Sequence, residues 1–491
     1  MNFKLRKPIL VGGLGLTAGV WLLHGIHPGI ADFSGTTIWG ALALSSGFWW
    51  LRKRSLKPLD LTTPALPVDR TAVEKALSAV ETLVKQLAAE TTSEIQVSTL
   101  TSFQEKLTQL TAELERSEIR LAIAGGQSVG KTALAQYLTE NWMPQVQKIS
   151  IGDTAGLFAE PEEVGAALAP EIDSADLVLF VTAGDLTSPE YQTIQQLLAR
   201  QQRVLLLFNK QDQYLPDERP LVLQQIRARV QGQLIADDVM AIATAPAPVK
   251  VRQYQSGTVQ ERLEQPAADV SGLSDRLTQV LAEEGQRLIF STVLRQVNLL
   301  RIEVQNALNG VRRDRALPLI EQSQWIAAAA AFANPVPSLD LLATAAVNTQ
   351  LIVDLSEIYQ QKFSLQQAKT AAGTLANLMV KLGLVELSAQ AISPLLKSHA
   401  VTFVAGGLME GVSAAYLTHL AGLSLIEYFQ EQSHVLDPNA APFQADRLTQ
   451  KLKAVFQDNQ RAAFLQALVQ QGIGRLAPVS TPAPALPGAA K

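Results

Sequence analysis

Gly125-Gly126-Gln127-Ser128-Val129-Gly130-Lys131-Thr132 is the stretch that decides the fold of this chain. It follows a short apolar run, Ile119 to Ala124, and leads into a helical pattern from Ala133 to about Thr139. The spacing is G-x-x-x-x-G-K-[ST] in a strand–loop–helix context. Glycines let such a loop turn its backbone N–H groups inward, and the helix N-terminus adds free donors and a favourable dipole, so the loop is built to cradle phosphates. The expected roles follow from position. Gly125, Gln127, Ser128, Val129 and Gly130 supply loop backbone, Lys131 reaches the outer phosphates, and the Thr132 hydroxyl holds Mg²⁺. Lys131 and Thr132 are also the candidate catalytic residues.

Further strand-end loops follow downstream. Lys148 to Gly152 reads as a strand ending in Asp153-Thr154-Ala155-Gly156. Asp153 is placed to hold Mg²⁺ through a water, and the Gly156 N–H to meet a γ-phosphate. Leu177 to Thr182 and Val204 to Phe208 read as buried strands, the second ending in Asn209-Lys210-Gln211-Asp212, and Val239 to Ala243 leads to Thr244-Ala245-Pro246. Strands alternating with helices imply a mostly parallel sheet with ligands at the strand C-termini.

With these motifs the chain resembles the Era-like P-loop GTPases of the TRAFAC class. The resemblance implies that Asp212 pairs with the guanine N1 and N2 protons, that Asn209 and Lys210 complete the base loop, and that Thr244 and Ala245 stand where the family places its Ser-Ala-Lys loop, with the Ala245 N–H on guanine O6. The implied ligands are GTP or GDP with Mg²⁺. Only twenty residues separate Thr132 from Asp153, which leaves little room for the family's switch loop and its threonine. Thr139 sits in the helix pattern, and Leu157 follows Gly156 where Ras-like members carry glutamine. The expectation is therefore a slow or partner-dependent GTPase acting as a switch or scaffold, the alternative being a structural membrane protein with a degenerate nucleotide site. A rival reading takes Gly126 to Gly130 as G-x-S-x-G, an esterase elbow with Ser128 as nucleophile. It needs a histidine, and the later ones are His399, His419 and His434.

Outward from the nucleotide loop, charged residues make up 18% of the chain, fewer than the roughly 25% of a typical soluble domain. Two N-terminal runs, Pro8 to Ala31 and Phe33 to Leu51, carry no Asp, Glu, Lys or Arg, and only Asp32 stands between them. They are expected to form a transmembrane hairpin within 1–54, with spans of about 8–26 and 33–51. Lys4, Arg6 and Lys7 before it, and Arg52, Lys53, Arg54 and Lys57 after it, place both ends in the cytosol. Residues 55–70, with Pro58, Pro64 and Pro67, form a linker. Residues 71–117 read as an amphipathic helical neck, 118–285 as the nucleotide domain, 286–475 as an apolar all-α domain, and 476–491 as a disordered tail.

Arg287, Arg295, Arg301, Arg312, Arg313 and Arg315 make a basic helix segment, readable as a solvated face or as a contact for anionic headgroups. From about Gln322 to Gln430 the chain resembles an uncharacterised helical domain fused to Era-like GTPases in bacterial membrane proteins, notably cyanobacterial ones. That resemblance implies a bacterial plasma membrane or an internal, thylakoid-type one. The expected partners are the lipid bilayer and a protein or second copy meeting the helical regions. A net charge of −4 argues against nucleic acid. The absence of cysteine excludes disulfides and cysteine–metal sites, and His24 and His27 read as loop residues.

Overall fold

In the computed structural model the described residues are 68–91, 94–142, 149–153, 170–255, 258–333, 337–361, 363–398, 405–433, 444–459 and 462–476. The expected hairpin at 1–54, the linker up to 67 and the tail from 477 lie outside them. Val68–Ala228 and Ala236–Lys491 form one compact unit. Arg229–Ile235 belongs to a second and is a turn in which the Gln233 and Leu234 amides donate to the Val230 carbonyl.

The chain enters through two helices, α1 (Arg70–Glu90) and α2 (Glu94–Glu113). The Asp69 carboxylate caps α1 by accepting from the Ala72 amide, which satisfies one of the donors a helix start leaves open. Val73, Leu77, Val80, Val84 and Leu87 recur at helical spacing and are buried along one face. The α/β part follows as β1 (Ile119–Gly125), α3 (Lys131–Asn141), β2 (Ile149–Asp153), α4 (Pro170–Ser174), β3 (Leu177–Thr182), α5 (Ser188–Ala199), β4 (Arg203–Phe208), α6 (Arg219–Arg229) and β5 (Val239–Ala241). The five strands form one sheet in the order β2-β1-β3-β4-β5, every pair parallel. Leu177 to Val181 and Val204 to Phe208 are fully buried, as expected of central strands covered on both faces. The strand order reverses between β1 and β3, which is where such sheets open a crevice at their C-terminal edge.

The opposite, N-terminal edge is pinned by charge. Asp176, just before β3, takes a two-pronged guanidinium from Arg116 at 2.7 and 2.9 Å and the Arg120 amide at 2.8 Å. Asp238, just before β5, takes Arg203 at the start of β4 and Arg276 at 2.8 Å. Both carboxylates are buried, and forked pairing of this kind is what makes a buried charge tolerable.

A hairpin the sequence reading did not anticipate follows β5: β6 (Val249–Gln255) and β7 (Thr258–Glu264), antiparallel. Next comes a single helix of 63 residues, α7 (Ser271–Ala333), about 95 Å long at 1.5 Å per residue. It runs through position 285 without a break. Its first part packs with α1, α2 and the sheet in one apolar cluster, and its last part joins a second cluster built by α8 (Pro337–Ile358), α9 (Leu365–Lys381), α10 (Leu384–Ser398), α11 (Ala405–Ser433), α12 (Ala445–Asp458) and α13 (Ala462–Leu476). α11 lies along α7 closely enough that a Cβ on Gly422 would come within 2.9 Å of three Ile320 carbons. Among the described residues no single helix is long and apolar enough to cross a membrane.

The arginines of α7 mostly have protein partners. Arg312 is 3% exposed and donates to Glu90 at the end of α1 at 2.7 Å; Arg315 and Gln360 reach the same carboxylate at 3.0 and 3.1 Å. Arg313 pairs with Glu427 on α11. The Arg295 guanidinium donates to the Ala175 carbonyl at 2.9 Å, and burial pulls its pKa down to about 10. These contacts account for the basic segment by intramolecular pairing. Hydrogen bonds to a charged group contribute about 1.5–3 kcal/mol each, and Glu90 keeps Arg315 and Gln360, so Arg312→Met is expected to lower unfolding free energy by about 2–3 kcal/mol in denaturant titration. Arg287→Met, at an exposed position of the same helix, is the comparison variant.

Candidate nucleotide site

The glycine-rich loop joins β1 to α3 at the C-terminal edge of the sheet. Gly125 has φ 147° and a Cβ there would stand 2.2 Å from the Val181 carbonyl oxygen, so β1 approaches β3 as only glycine permits. Gly130 has φ 98°, and a Cβ would meet the Asn209 amide nitrogen at 2.3 Å. Ser128 and Lys210 also have left-handed backbone, at φ 57° and 61°. Outlying backbone of this kind costs roughly 1–3 kcal/mol and is kept where the surroundings dictate it, commonly in functional loops.

Three strand-end loops meet through one side chain. Asn209, 1% exposed at the end of β4, donates its amide to the Val129 carbonyl at 2.8 Å and to Thr244 Oγ1 at 3.0 Å. Its Oδ1 accepts from the Thr244 amide at 3.1 Å. Lys210 adds a second tie, Nζ to the Ser128 carbonyl at 2.6 Å. Lys131, also buried, folds back onto the loop, donating to the Gly126 carbonyl at 2.7 Å and the Gly125 carbonyl at 3.3 Å. Asp212 accepts from the Ala247 amide at 3.0 Å.

Ser128, Gly130, Lys131, Thr132, Asn209, Lys210, Asp212, Thr244 and Ala245 line a cavity of about 240 Å³, together with Ala133. All but Ala133 belong to the set singled out in the sequence. Of the remainder, Gly125 and Val129 are buried in the loop and Gln127 is exposed on it. Asp153 closes β2 beside Ile123 of β1; its side chain, and Gly156, lie outside the described residues. Thr132 is thus the metal candidate whose position can be given. Two lysines and the loop at the start of α3 line the cavity, residue types suited to an anionic oxygen cluster. Asp212, a half-buried acceptor, lines the same cavity.

Thr139 is no substitute for a switch threonine in this conformation. It lies within α3, its hydroxyl donating to the Ala135 carbonyl at 2.8 Å. A residue the sequence reading passed over is Glu190 on α5. Its carboxylate is 5% exposed, accepts from the Thr187 amide at 2.9 Å, and lies beside Gly126, 3.5 Å from where a Cβ would stand. The signal was available: Thr187-Ser188-Pro189-Glu190 is a capping box with proline at the helix start.

Among the described residues the esterase reading finds no base. His419 is the one histidine among the described residues, and it belongs to the other apolar cluster, bonded to Gln324 at 2.9 Å and packed on Phe464. Burial lowers its pKa to about 4.

Residues 295–461 match the model of a domain of unknown function, DUF697, about a third of the chain. The match begins within α7 and takes in α8 to α12. No curated protein matches the chain.

Two outcomes are expected. Gly125→Ala must move a strand backbone and should destabilise the fold by roughly 2–4 kcal/mol, read as a drop in denaturant midpoint; Gly126→Ala, where the nearest atoms stand at 3.5 Å, should cost much less. For His419 the folded pKa lies below the unfolded value of about 6.5, so the unfolded chain binds the proton first as pH falls. Its contribution, roughly 3 kcal/mol, is intact above pH 6.5 and lost progressively down to about pH 4. His419→Gln should flatten the stability–pH curve over that window.

Proposed function

We propose that the chain is a guanine-nucleotide-binding protein, with a site formed by the β1, β4 and β5 end loops, held at a membrane by its N-terminal apolar runs. The carrying observation is that residues from three separated motifs, among them Lys131, Thr132, Asp212 and Ala245, line one cavity. A carboxylate such as that of Asp212 accepts two protons from guanine and none in that pattern from adenine. The presence of DUF697, which is found in GTPase-associated proteins, supports the same reading.

Thr132, with Asp153, is the pair suited to Mg²⁺; bound there the ion would neutralise phosphate charge. The chain's own residues hold the loop open by backbone ties and present Lys131 at the cavity. With Thr139 inside α3 and Leu157 in place of a polar residue, turnover is slow or waits on a partner. The protein then works as a nucleotide-dependent switch or scaffold, with the long helix α7 linking the nucleotide domain to the helical one.

Calorimetric titration of the full chain in detergent, with Mg²⁺ and GTP, GDP or ATP, tests this. GTP and GDP are expected to bind at micromolar concentration and ATP at least about 10-fold more weakly. Hydrogen bonds to a charged group contribute about 1.5–3 kcal/mol each, so Asp212→Ala should cost GTP at least roughly 10-fold and leave ATP unchanged. Lys131→Ala should weaken all three. Absence of GTP binding, or equal binding of ATP, would sink the proposal in favour of a structural protein with a degenerate site.

A further inference from the structure

Helices α9 and α10 meet at an angle of 65° across Leu382 and Gly383. The corner is a built turn. Gly383 has φ 66°, its amide donates to the Val380 carbonyl at 3.0 Å, and its carbonyl accepts from the Leu387 amide at 2.9 Å. Inner faces hold the pair in the bundle: Ala368, Ala371, Ala372, Leu375 and Met379 from α9, and Leu384 and Ile392 from α10, are buried in the second cluster.

The outer side of the corner breaks the usual rule for a surface helix. Outward positions along the middle of α9 are polar or small, as at Gln366, Gln367, Thr370, Gly373 and Asn377. At the corner, Val380 is 58% exposed, Leu387 44% and Val385 39%, with exposed Lys381 between them. The corner carries one charge of each sign, exposed Lys381 and exposed Glu386. Glu386 stands in the first turn of α10 with its carboxylate toward Gly383, where the helix start favours an anion.

The joined pair is apolar enough for a bent span or a re-entrant loop. Its inner faces are occupied by protein, however, which leaves the corner, and Leu365 at the far end of α9, for another phase. Three aliphatic tips and a lysine are too small for a protein interface, which needs about 800 Å² on each partner and favours Tyr, Trp and Arg at its centre. They suit the headgroup–acyl boundary, where aliphatic groups sink and lysine stays with the phosphates.

We infer that the α9–α10 corner inserts shallowly into a lipid surface, with Val380, Val385 and Leu387 below the phosphates and Lys381 and Glu386 at their level. This adds a lipid contact by the helical domain to the proposed N-terminal anchor, and it rests on that reading only for bringing a bilayer near.

The chain has no cysteine, so a single thiol can be placed at will. Leu387→Cys, and Thr370→Cys as an outward control on α9, would each carry a polarity-sensitive fluorophore on the full chain. Each is reconstituted with vesicles of phosphatidylcholine, with and without phosphatidylglycerol. At residue 387 the emission should shift to the blue with vesicles of either composition, and a lipid-borne quencher should act at least about twofold more strongly than at residue 370. Val385→Asp in the Leu387→Cys background should abolish the shift. Flotation of the Val385→Asp variant separately reads the anchor. Flotation with an aqueous signal at 387 before that substitution overturns the corner contact and leaves the anchor standing. A shift at 387 together with loss of flotation in Val385→Asp supports the corner contact and removes the anchor. A shift that grows with protein concentration in the absence of lipid overturns the inference in favour of contact between copies.

Discussion

Asn209 is the constraint on which the candidate site depends. One carboxamide, sealed from solvent, holds the glycine-rich loop through Val129 and the β5 loop through Thr244. Its donors and acceptor are satisfied by groups from two other strand ends, so none of the three loops can shift independently. The geometry of the rest follows. Gly130 must lack a side chain because Asn209 occupies that space, and Lys210 accepts left-handed backbone because its neighbour is fixed. A buried polar group satisfied in this way rigidifies its surroundings, and removing it would leave a backbone amide and a carbonyl without partners.

The two edges of the sheet divide their work. At the N-terminal edge, Asp176 and Asp238 fix the starts of β3 and β5 through Arg116 in the loop before β1, the Arg120 amide of β1, Arg203 of β4 and Arg276 of α7. That leaves the C-terminal edge to irregular loops, which can present backbone N–H groups and side chains without carrying the fold. The long helix α7 extends this frame. It contributes to both apolar clusters, and the buried contact of Arg312 with Glu90 ties its middle to the end of α1 at the point where the clusters adjoin. Gln360, at the end of α8, completes that contact.

The glycine-rich loop was legible in the sequence because its conformation is written in glycine positions. The central strands were legible because continuous burial demands continuous apolar sequence. Asn209 was picked out as a binding residue, yet its side chain is spent on holding loops together, a role that needs the distant Val129 and Thr244 to be seen. The β6–β7 hairpin escaped notice because the described residues of both strands are exposed on both faces, so Val-Lys-Val-Arg and Glu-Arg-Leu-Glu show no single buried side. The basic segment of α7 read as a surface stripe because its acidic partners, Glu90 and Glu427, lie more than a hundred residues away. The helical character of the C-terminal part was plain from composition. Its packing was not, since an apolar helix buried against protein and one buried in lipid have similar sequences.

Hydrogen–deuterium exchange of the full chain, with and without GTP and Mg²⁺, tests the central claim most directly. If the Asn209-tied loops form one guanine-nucleotide pocket, protection rises together in peptides covering 125–132, 209–212 and 244–247. Protection confined to the first of these, or unchanged in all three, would contradict the account.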